Sequence, residues 1–305
     1  MLKAIENRLL TEEEIFQIKN NSSQPIVCFF DYDYFRKNAE LFTIPDEYVQ
    51  GILHYGMLNS VSWEHEGFLI SLQIPHEVNA KESFSHIYIF SKKNVLVFIC
   101  KKHKIVDQLI REINQGTLAE ESTEKILYLF FDRLISDDAI VFENMEKQIT
   151  LIEEDLINSR KQDYVKDIFT YRKKLMLLKK YYQQLADIMD DLYQNETQNI
   201  VNKRYIKRIS DKSKRLYADV LHLRDYVTQI REAYQTQMDI NLNSIMKLFT
   251  VITAIFMPLT VVVGWYGMNL KMPEFGWSYG YPLVIGLSLL LVIAEVIYFA
   301  KNKWF

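Results

Sequence analysis

Small and polar side chains recur at alternating steps of three and four residues in an apolar run near the end of the chain. With two methionines among them, they are Asn243, Met246, Thr250, Thr253, Met257, Thr260 and Gly264. On a helix this spacing puts them on one face, which we call the seam, while the other faces carry large apolar residues. Hydroxyls gain nothing in lipid, so the seam either packs helices together or lines a polar path between them. The residues alone leave both interpretations open.

Carboxylates continue the register of the seam toward the amino terminus. Asp225, Glu232 and Asp239 are spaced seven residues apart, in register with Met246. On a solvated helix they are ordinary surface charges. On the inner face of a ring of helices, each position would form a ring of carboxylates that concentrates cations.

Two segments have the length and composition of membrane spans. Residues 248–266 contain no charge, and residues 281–300 contain only Glu295. Both are close to the ~20 residues that cross a hydrocarbon core, whereas buried core helices are the alternative. Glu295 lies near the inner end of its span, where it reaches water or, alternatively, couples transport to protons. The stretch GWYGMNLKMPE (264–274) is too polar to cross and too short for a domain, so we expect it at a membrane mouth.

The placement of glycine and proline divides the rest of the chain. No residue from Thr117 to Met257 is a glycine or a proline, which predicts long helices over about 121–193, with a break near 158–164 and a reversal within 191–202. The stalk helix then has no breaker before the first span, so the two are expected to be one helix. The expected parts are an α/β domain (1–116), a long-helix region (117–202), a stalk helix (203–247), a first span (248–268), an extracytoplasmic loop (269–280), a second span (281–300) and a basic tail (301–305).

The first 116 residues have the pattern of an α/β domain. Apolar runs at 25–30, 67–74, 84–90 and 94–100 predict strands, and SKKN between the last two predicts a hairpin turn. Amphipathic stretches at 34–42 and 103–115 predict helices. The fold class is therefore an α+β membrane protein with a cytosolic α/β domain at its amino terminus.

Basic residues and overall charge restrict orientation and function. Lys247, Lys301 and Lys303 flank the spans and only Lys271 lies in the loop, so both termini are expected in the cytosol, with the spans in the cell (inner) membrane. A net charge of −3 gives no support to nucleic-acid binding. The sequence contains no P-loop and no recognisable catalytic arrangement, so we expect neither an enzyme nor a catalytic cofactor.

The junction between the spans resembles a known family. YGMN (266–269), MPE (272–274) and WSYGYP (277–282) are similar to the signature of the CorA-type divalent-metal transporters, and the similarity extends over about 225–305. This resemblance implies a homopentameric funnel in the lipid bilayer, with the first span lining the pore and the second outside it. It also implies Mg²⁺ as the transported and regulatory ion, with Co²⁺ or Ni²⁺ as further cargo.

Individual roles follow from the same resemblance. Gly267, Met268 and Asn269 match the selectivity filter, where neutral amides would hydrogen-bond to the hydration shell of the ion. Glu274 resembles an acidic residue at the outer mouth. The matching pore positions are Asn243, Met246, Phe249, Met257, Thr260 and Gly264. Phe249 is not on the seam and would either form an apolar gate or face lipid. Lys247, Lys301 and Lys303 resemble a basic belt, which positive-inside anchoring explains equally well.

The region that corresponds to a cytosolic Mg²⁺ sensor departs from the family pattern. Arg208 lies where relatives have an acidic residue, and Asp211 follows one turn later. Either the sensor is displaced to Asp211, or this protein is gated differently. The expected function is channel-like transport of Mg²⁺ into the cytosol; the alternatives are a zinc transporter of the related ZntB type and a membrane-tethered interaction protein.

Overall fold

The structure is a computed structural model of the whole chain. It describes residues 2–6, 11, 14–15, 25–42, 46–53, 60–64, 67–75, 84–118, 120–157, 164–194, 202–269 and 272–302. The chain divides into two compact units, Met1–Ile230 and Arg231–Phe305. The divisions expected after residues 116 and 202 fall inside the first unit and stay predictions of the sequence.

The first unit contains a mixed six-stranded sheet. Its strands are β1 (Lys3–Glu6), β2 (Ile26–Phe30), β3 (Ser60–Glu64), β4 (Gly67–Pro75), β5 (Phe84–Lys92) and β6 (Val95–Cys100). They lie in the order β1-β2-β6-β5-β4-β3, with β1, β2 and β6 parallel and the remaining pairs antiparallel. Parallel neighbours need long crossover connections, and the connection from β2 to β6 contains the helices Tyr32–Asn38 and Asp46–Leu53.

The four predicted strands and the hairpin are confirmed. Strands β5 and β6 pair antiparallel across a turn in which Lys93 has φ of 49°. A tight hairpin requires such a left-handed residue. Strands β1 and β3 were not predicted, because both are short, lie at the edges of the sheet and bury few side chains; in β1 only Ile5 is fully buried.

Helices cover both faces of the sheet. Helices α1 (Tyr32–Asn38), α2 (Asp46–Leu53) and α3 (Lys104–Asn114) include the two predicted amphipathic stretches in part. Phe35 of α1 and Ile52 of α2 pack into one core with Cys28 and Val97 of the central strands. On the opposite face, the Phe29 and Phe98 rings stack at 5.3 Å between centroids.

Long helices follow, as the absence of glycine and proline predicts. They are α4 (Thr123–Leu134), α5 (Asp138–Ile157), α6 (Val165–Gln194) and α7 (Lys203–Tyr266). A break at 135–137 was not predicted. The predicted break falls between α5 and α6, where 158–163 lie outside the described residues. The predicted reversal falls between α6 and α7, where residues 195–201 also lie outside the described residues.

Polar contacts attach the first part of α7 to the three preceding helices. Asp190 of α6 accepts hydrogen bonds from Ser210 (2.6 Å) and Lys214 (2.8 Å). Lys212 donates to the Asp132 carboxylate of α4 at 3.1 Å. Tyr226 donates to Glu153 of α5 at 2.5 Å. The stalk part of α7 is therefore held by side chains from α4, α5 and α6.

The second unit holds the two candidate membrane spans. Helix α7 continues without interruption to Tyr266, so stalk and first span are one helix, as expected. A 3₁₀ helix (Pro273–Gly276) and α8 (Gly280–Lys301) follow. Among the described residues, α7 and α8 contain stretches long and apolar enough to cross a membrane, with mean hydropathies of 2.1 and 2.5.

Candidate functional site

One face of α7 is covered within the chain. Val251 is buried, and the residues that follow it at helical spacing are half-buried: Ala254, Ile255, Pro258, Leu259, Val262 and Tyr266. Helix α8 carries a matching stripe that ends at the buried Phe299 and consists of Gly280, Val284, Ser288, Leu291, Val292 and Glu295. These are the faces on which α7 and α8 of one chain are covered.

The seam lies on nearly the opposite side of α7. At about 100° per residue, its centre is about 150° from the centre of the covered face. All seven seam residues are exposed in the single chain. The second span of the same chain therefore leaves the seam open, and no other part of the chain that the structure describes covers it.

Two seam threonines hydrogen-bond to their own helix. Thr250 donates to the carbonyl oxygen of Met246 at 2.8 Å, and Thr260 donates to that of Phe256 at 2.7 Å. These two hydrogen bonds agree in part with the interpretation that the threonines pack helices together, because each hydroxyl proton is satisfied by its own helix. Their oxygens keep free lone pairs that can accept hydrogen bonds from water. Water bound to a cation is such a donor, so the same bonds suit a seam that faces a hydrated ion.

A third face of α7 was missed in the sequence. Large apolar residues at steps of four and three are all exposed, and we call them the apolar row: Met238, Leu242, Ile245, Phe249, Ile252 and Phe256. The row follows the heptad spacing of the seam with a shift of one residue. This repeat is the feature of the sequence from which the row could have been predicted. Phe249, which did not fit the seam, belongs to this row and is 60% exposed.

The helix ends where the filter motif begins. The Gly267 N–H donates to the Val263 carbonyl at 2.8 Å and closes the last turn, and Asn269 follows in an exposed, non-helical position. A Cβ added at Gly267 would lie 2.8 Å from the Val263 oxygen, so a larger residue must move the backbone. At Gly264 an added Cβ would meet nothing within 4 Å of the single chain.

The carboxyl end of α7 and the amino end of α8 surround an apolar cavity. It has a volume of about 490 Å³, and Val263, Tyr266, Trp277, Tyr281 and Val284 are among the residues lining it. Tyrosine and tryptophan at this end suit the boundary between lipid and water. The backbone of Glu274 lies in the 3₁₀ helix just before.

Glu295 lies on the covered stripe of α8. Its Oε2 atom is buried and has no hydrogen-bond partner among the described residues. The proton-coupling interpretation gains no donor or acceptor from the described chain.

The charged candidates on α7 are exposed. Asp211, Glu232 and Asp239 lie at the surface, while Asp225 accepts a hydrogen bond from Arg224 at 2.8 Å. Within the described residues, no cluster of three or more His, Cys, Asp or Glu side chains could hold a metal ion. The carboxylate rings that would concentrate cations between copies stay a prediction.

Aromatic and basic side chains connect the stretch around Arg208 to helix α4. The Arg208 guanidinium lies 5.9 Å from the centre of the Tyr128 ring, which stacks on Tyr205 at 4.8 Å. Lys125 lies over both rings, at 5.1 and 5.0 Å. Cation–π contacts thus attach the start of α7 to α4. The positively charged Arg208 side chain lies at the position where an acidic sensor residue was expected.

Two residues of the candidate basic belt can be located. Lys247 and Lys301 are exposed in the second unit. Lys303 lies outside the described residues. Their exposure suits lysines that reach for water at a membrane boundary.

Comparison with known proteins identifies the family. The family model described as "CorA-like Mg2+ transporter protein" matches residues 35–301. The chain belongs to the CorA family. The resemblance inferred from the sequence is therefore confirmed, and it covers most of the chain. Along 280 residues this CorA member is 27% identical to the cobalt/magnesium transport protein CorA of Thermotoga maritima, covering 89% of this chain and 80% of that protein.

Solved structures share the CorA fold. The complete CorA magnesium transporter of Methanocaldococcus jannaschii is similar with a TM-score of 0.77 and 20% identity, covering 92% of this chain and 90% of that one. The cytoplasmic domain of ZntB from Vibrio parahaemolyticus is similar with a TM-score of 0.58 and 16% identity, covering 70% and 87%. These two likenesses concern the fold alone, and the second is the weaker.

Proposed function

We propose that this CorA member carries Mg²⁺, and with it Co²⁺ or Ni²⁺, across the cell (inner) membrane into the cytosol. The observation that carries the proposal is the seam, which lies opposite the covered face of α7 and leads to Gly267, Met268 and Asn269. Family membership and the name of the Thermotoga relative, a cobalt/magnesium transport protein, support the choice of ion.

The pathway requires several copies of the chain, and we propose a homopentamer. One α7 offers one seam, which cannot enclose water alone. A ring of copies with cyclic symmetry turns every seam inward, α8 outward, and the apolar row toward a neighbouring helix. In this arrangement Phe249 packs between copies at the edge of the path, where its ring also narrows it.

Five Asn269 side chains would then form a collar at the outer mouth. Mg²⁺ prefers octahedral oxygen ligands and loses water reluctantly. Neutral amide oxygens accept hydrogen bonds from its hydration shell without the strong attraction of carboxylates. Glu274 would enrich cations outside the collar, and the threonine oxygens of the seam would continue the series of acceptors inward.

The membrane potential supplies the driving force. A divalent ion that enters a cytosol 100 mV negative relative to the outside gains about 4.6 kcal/mol. With both termini in the cytosol, the lysines at 247, 301 and 303 lie at the inner boundary. The ion would be attracted along the cytosolic part of α7 by the carboxylates of Asp211, Asp225, Glu232 and Asp239. When cytosolic Mg²⁺ is high, Mg²⁺ would bridge these carboxylates between copies and close the pathway.

Flux of Mg²⁺ into proteoliposomes tests this function. Asn269→Ala should abolish most of the uptake because the collar loses its acceptors, whereas Leu248→Ala, outside the seam, should retain it. Uptake should also fall when the vesicles contain Mg²⁺, and Zn²⁺ should compete less than Co²⁺. Uptake that is unchanged in Asn269→Ala would contradict the collar and favour a membrane-tethered interaction protein; stronger competition by Zn²⁺ would favour transport of the ZntB type.

A further inference from the structure

The hairpin of α5 and α6 has two outward faces that neither the pathway nor the core uses. On α5 the buried residues are Phe142, Met145, Ile149 and Ile152, and on α6 they are Ile168, Leu175, Leu178, Tyr182, Leu185 and Met189. Opposite these buried faces, both helices expose large apolar side chains. An apolar residue on a solvated helix is unremarkable alone, but a repeated pattern with matched charges is not.

The outward face of α5 carries two large apolar residues flanked by carboxylates, with the exposed Lys147 between the two apolar residues. Ile140 is 60% exposed and Leu151 is 52% exposed, and they lie eleven residues apart on one line of the helix. Glu143 flanks this line on one side, and Asp137, just before the helix, flanks it on the other. The Glu143 carboxylate forms an exposed ion pair with Lys147 at 2.7 Å, a contact worth little against water.

The outward face of α6 is apolar and basic. Val165 and Met176, 52% and 63% exposed, also lie eleven residues apart on one line. Arg172 flanks this line on one side and Lys180 flanks it on the other, both exposed. The two faces therefore have the same apolar spacing of about 16 Å and opposite charges.

One antiparallel register satisfies all four positions. When Met176 lies opposite Ile140, Val165 lies opposite Leu151. In that register Arg172 falls beside Glu143, and Lys180 falls beside Asp137. At about 100° per residue, the members of each charged pair lie on the same flank of their apolar lines, as facing antiparallel helices require.

We propose that the outward face of α6 docks on the outward face of α5 of a neighbouring copy of this chain. The proposal rests on the homopentamer under the proposed function. Rotation about an axis along the helices preserves their directions, and α5 and α6 are consecutive helices of one hairpin. Helix α6 of one copy and α5 of the next are then antiparallel, which is the direction that the register needs. The contact is heterologous, so it closes only in a ring.

The docked hairpins would form a belt around the stalk helices. Each α5–α6 hairpin is attached to α7 of its own chain through Tyr226 and Asp190. A belt between hairpins therefore connects the stalks of neighbouring copies away from the membrane. Its ion pairs are exposed and weaken with salt, and its apolar pairs do not.

Cysteine cross-linking in lipid vesicles tests the register. Ile140→Cys with Met176→Cys, in the full chain, should yield covalent dimers up to a closed ring on oxidation, because docking brings the two Cβ atoms within disulfide reach. Ile140→Cys with Phe169→Cys is the matched control, two helical turns out of register, and should give no such ladder. A ladder from both pairs, or from neither, overturns the proposal.

Charge reversal tests the partner. Arg172→Glu should reduce the yield of the in-register cross-link, and Glu143→Arg in the same chain should restore it. A yield that does not change with Arg172→Glu, or a loss that Glu143→Arg deepens, contradicts the docking of these faces.

A third variant separates this inference from the proposed function. Thr260→Cys on the seam reports the ring itself, independently of the hairpin. Cross-links from Thr260→Cys without any from the hairpin pair overturn the belt alone. Cross-links from the hairpin pair in vesicles that take up no Mg²⁺ support the belt and contradict transport.

Discussion

At the scale of single residues, the account depends on side chains whose chemistry is modest. Asn269 contributes a neutral acceptor, and Thr250 and Thr260 keep their protons on their own helix while presenting oxygen. None of these groups binds a bare ion strongly. Such a set suits an ion that moves with most of its water, because tight coordination would trap it.

The two glycines near the end of α7 should respond differently to the same substitution. Gly267→Ala places a Cβ 2.8 Å from the Val263 oxygen, so the backbone must shift, at about 1–3 kcal/mol, and Asn269 moves with it. Mg²⁺ uptake should fall strongly. Gly264→Ala meets nothing in its own chain, and alanine favours the helix by about 1 kcal/mol, so the chain should fold normally.

Uptake and thermal unfolding in detergent distinguish these two variants. Any loss of uptake in Gly264→Ala should come with an unchanged or higher unfolding temperature, because the added methyl can meet only another copy. Wild-type uptake in Gly267→Ala would contradict the tight closure of the last turn.

At the scale of elements, the long helix α7 has different neighbours along its length. Its first part is held by α4, α5 and α6, and its later part has a covered face, the seam and the apolar row. The heptad spacing in the sequence predicted the seam and the continuity of the helix. The sequence could not assign the covered face, because both Val251 and Phe249 are apolar and only pairing with α8 decides which one is buried.

The same limit explains the missed elements in the first unit. The central strands β2, β4, β5 and β6 were predicted because most of their side chains are buried, which gives continuous apolar runs. The edge strand β3 carries serines at positions 60 and 62 and has no such run. The break at 135–137 has neither glycine nor proline, and its local signal is the polar pair Ser136 and Asp137. The Ser136 hydroxyl lies 3.1 Å from the Arg133 carbonyl oxygen and 2.9 Å from the Asp137 carboxylate.

The contact between α6 and α7 at Asp190 should make stability depend on pH. Burial opposes ionisation, but hydrogen bonds from Lys214 and Ser210 outweigh it and hold the pKa of Asp190 below its usual value. A lowered carboxyl pKa stabilises the fold at neutral pH, and this contribution is lost as the pH falls through that pKa. Asp190→Asn should therefore lower stability by at most about 1 kcal/mol at pH 7.

Thermal unfolding of wild type and Asp190→Asn from pH 7 down to about pH 3, below the usual carboxyl pKa, measures this contribution. The gap between them should narrow toward acid. Asp187→Asn, an exposed carboxyl on the same helix, serves as the control and should change little. A gap that widens as the pH falls would show that the Lys214 contact is not the cause.

At the scale of the whole molecule, a single chain leaves several faces exposed that the proposed ring would cover. The seam, the apolar row and the outward faces of α5 and α6 are all open in one copy. A ring gives each of them a partner: water and ions for the seam, neighbouring helices for the row, and neighbouring hairpins for the outward faces. The resemblance of residues 264–282 to the CorA signature predicted the family correctly, whereas no motif in the sequence announced the hairpin faces.

Reaction of single cysteines with a cationic, membrane-impermeant thiol reagent during Mg²⁺ uptake tests the central claim most directly. Thr253→Cys places a thiol on the seam, and Val262→Cys places one on the covered face as its control. The two native thiols should react little with the reagent, because Cys28 is fully buried and burial raises the pKa of Cys100 to about 12. The account predicts that the reagent stops uptake through Thr253→Cys and leaves Val262→Cys unaffected; uptake through Thr253→Cys that continues after full labelling, or equal block of both, would contradict a water-filled path along the seam.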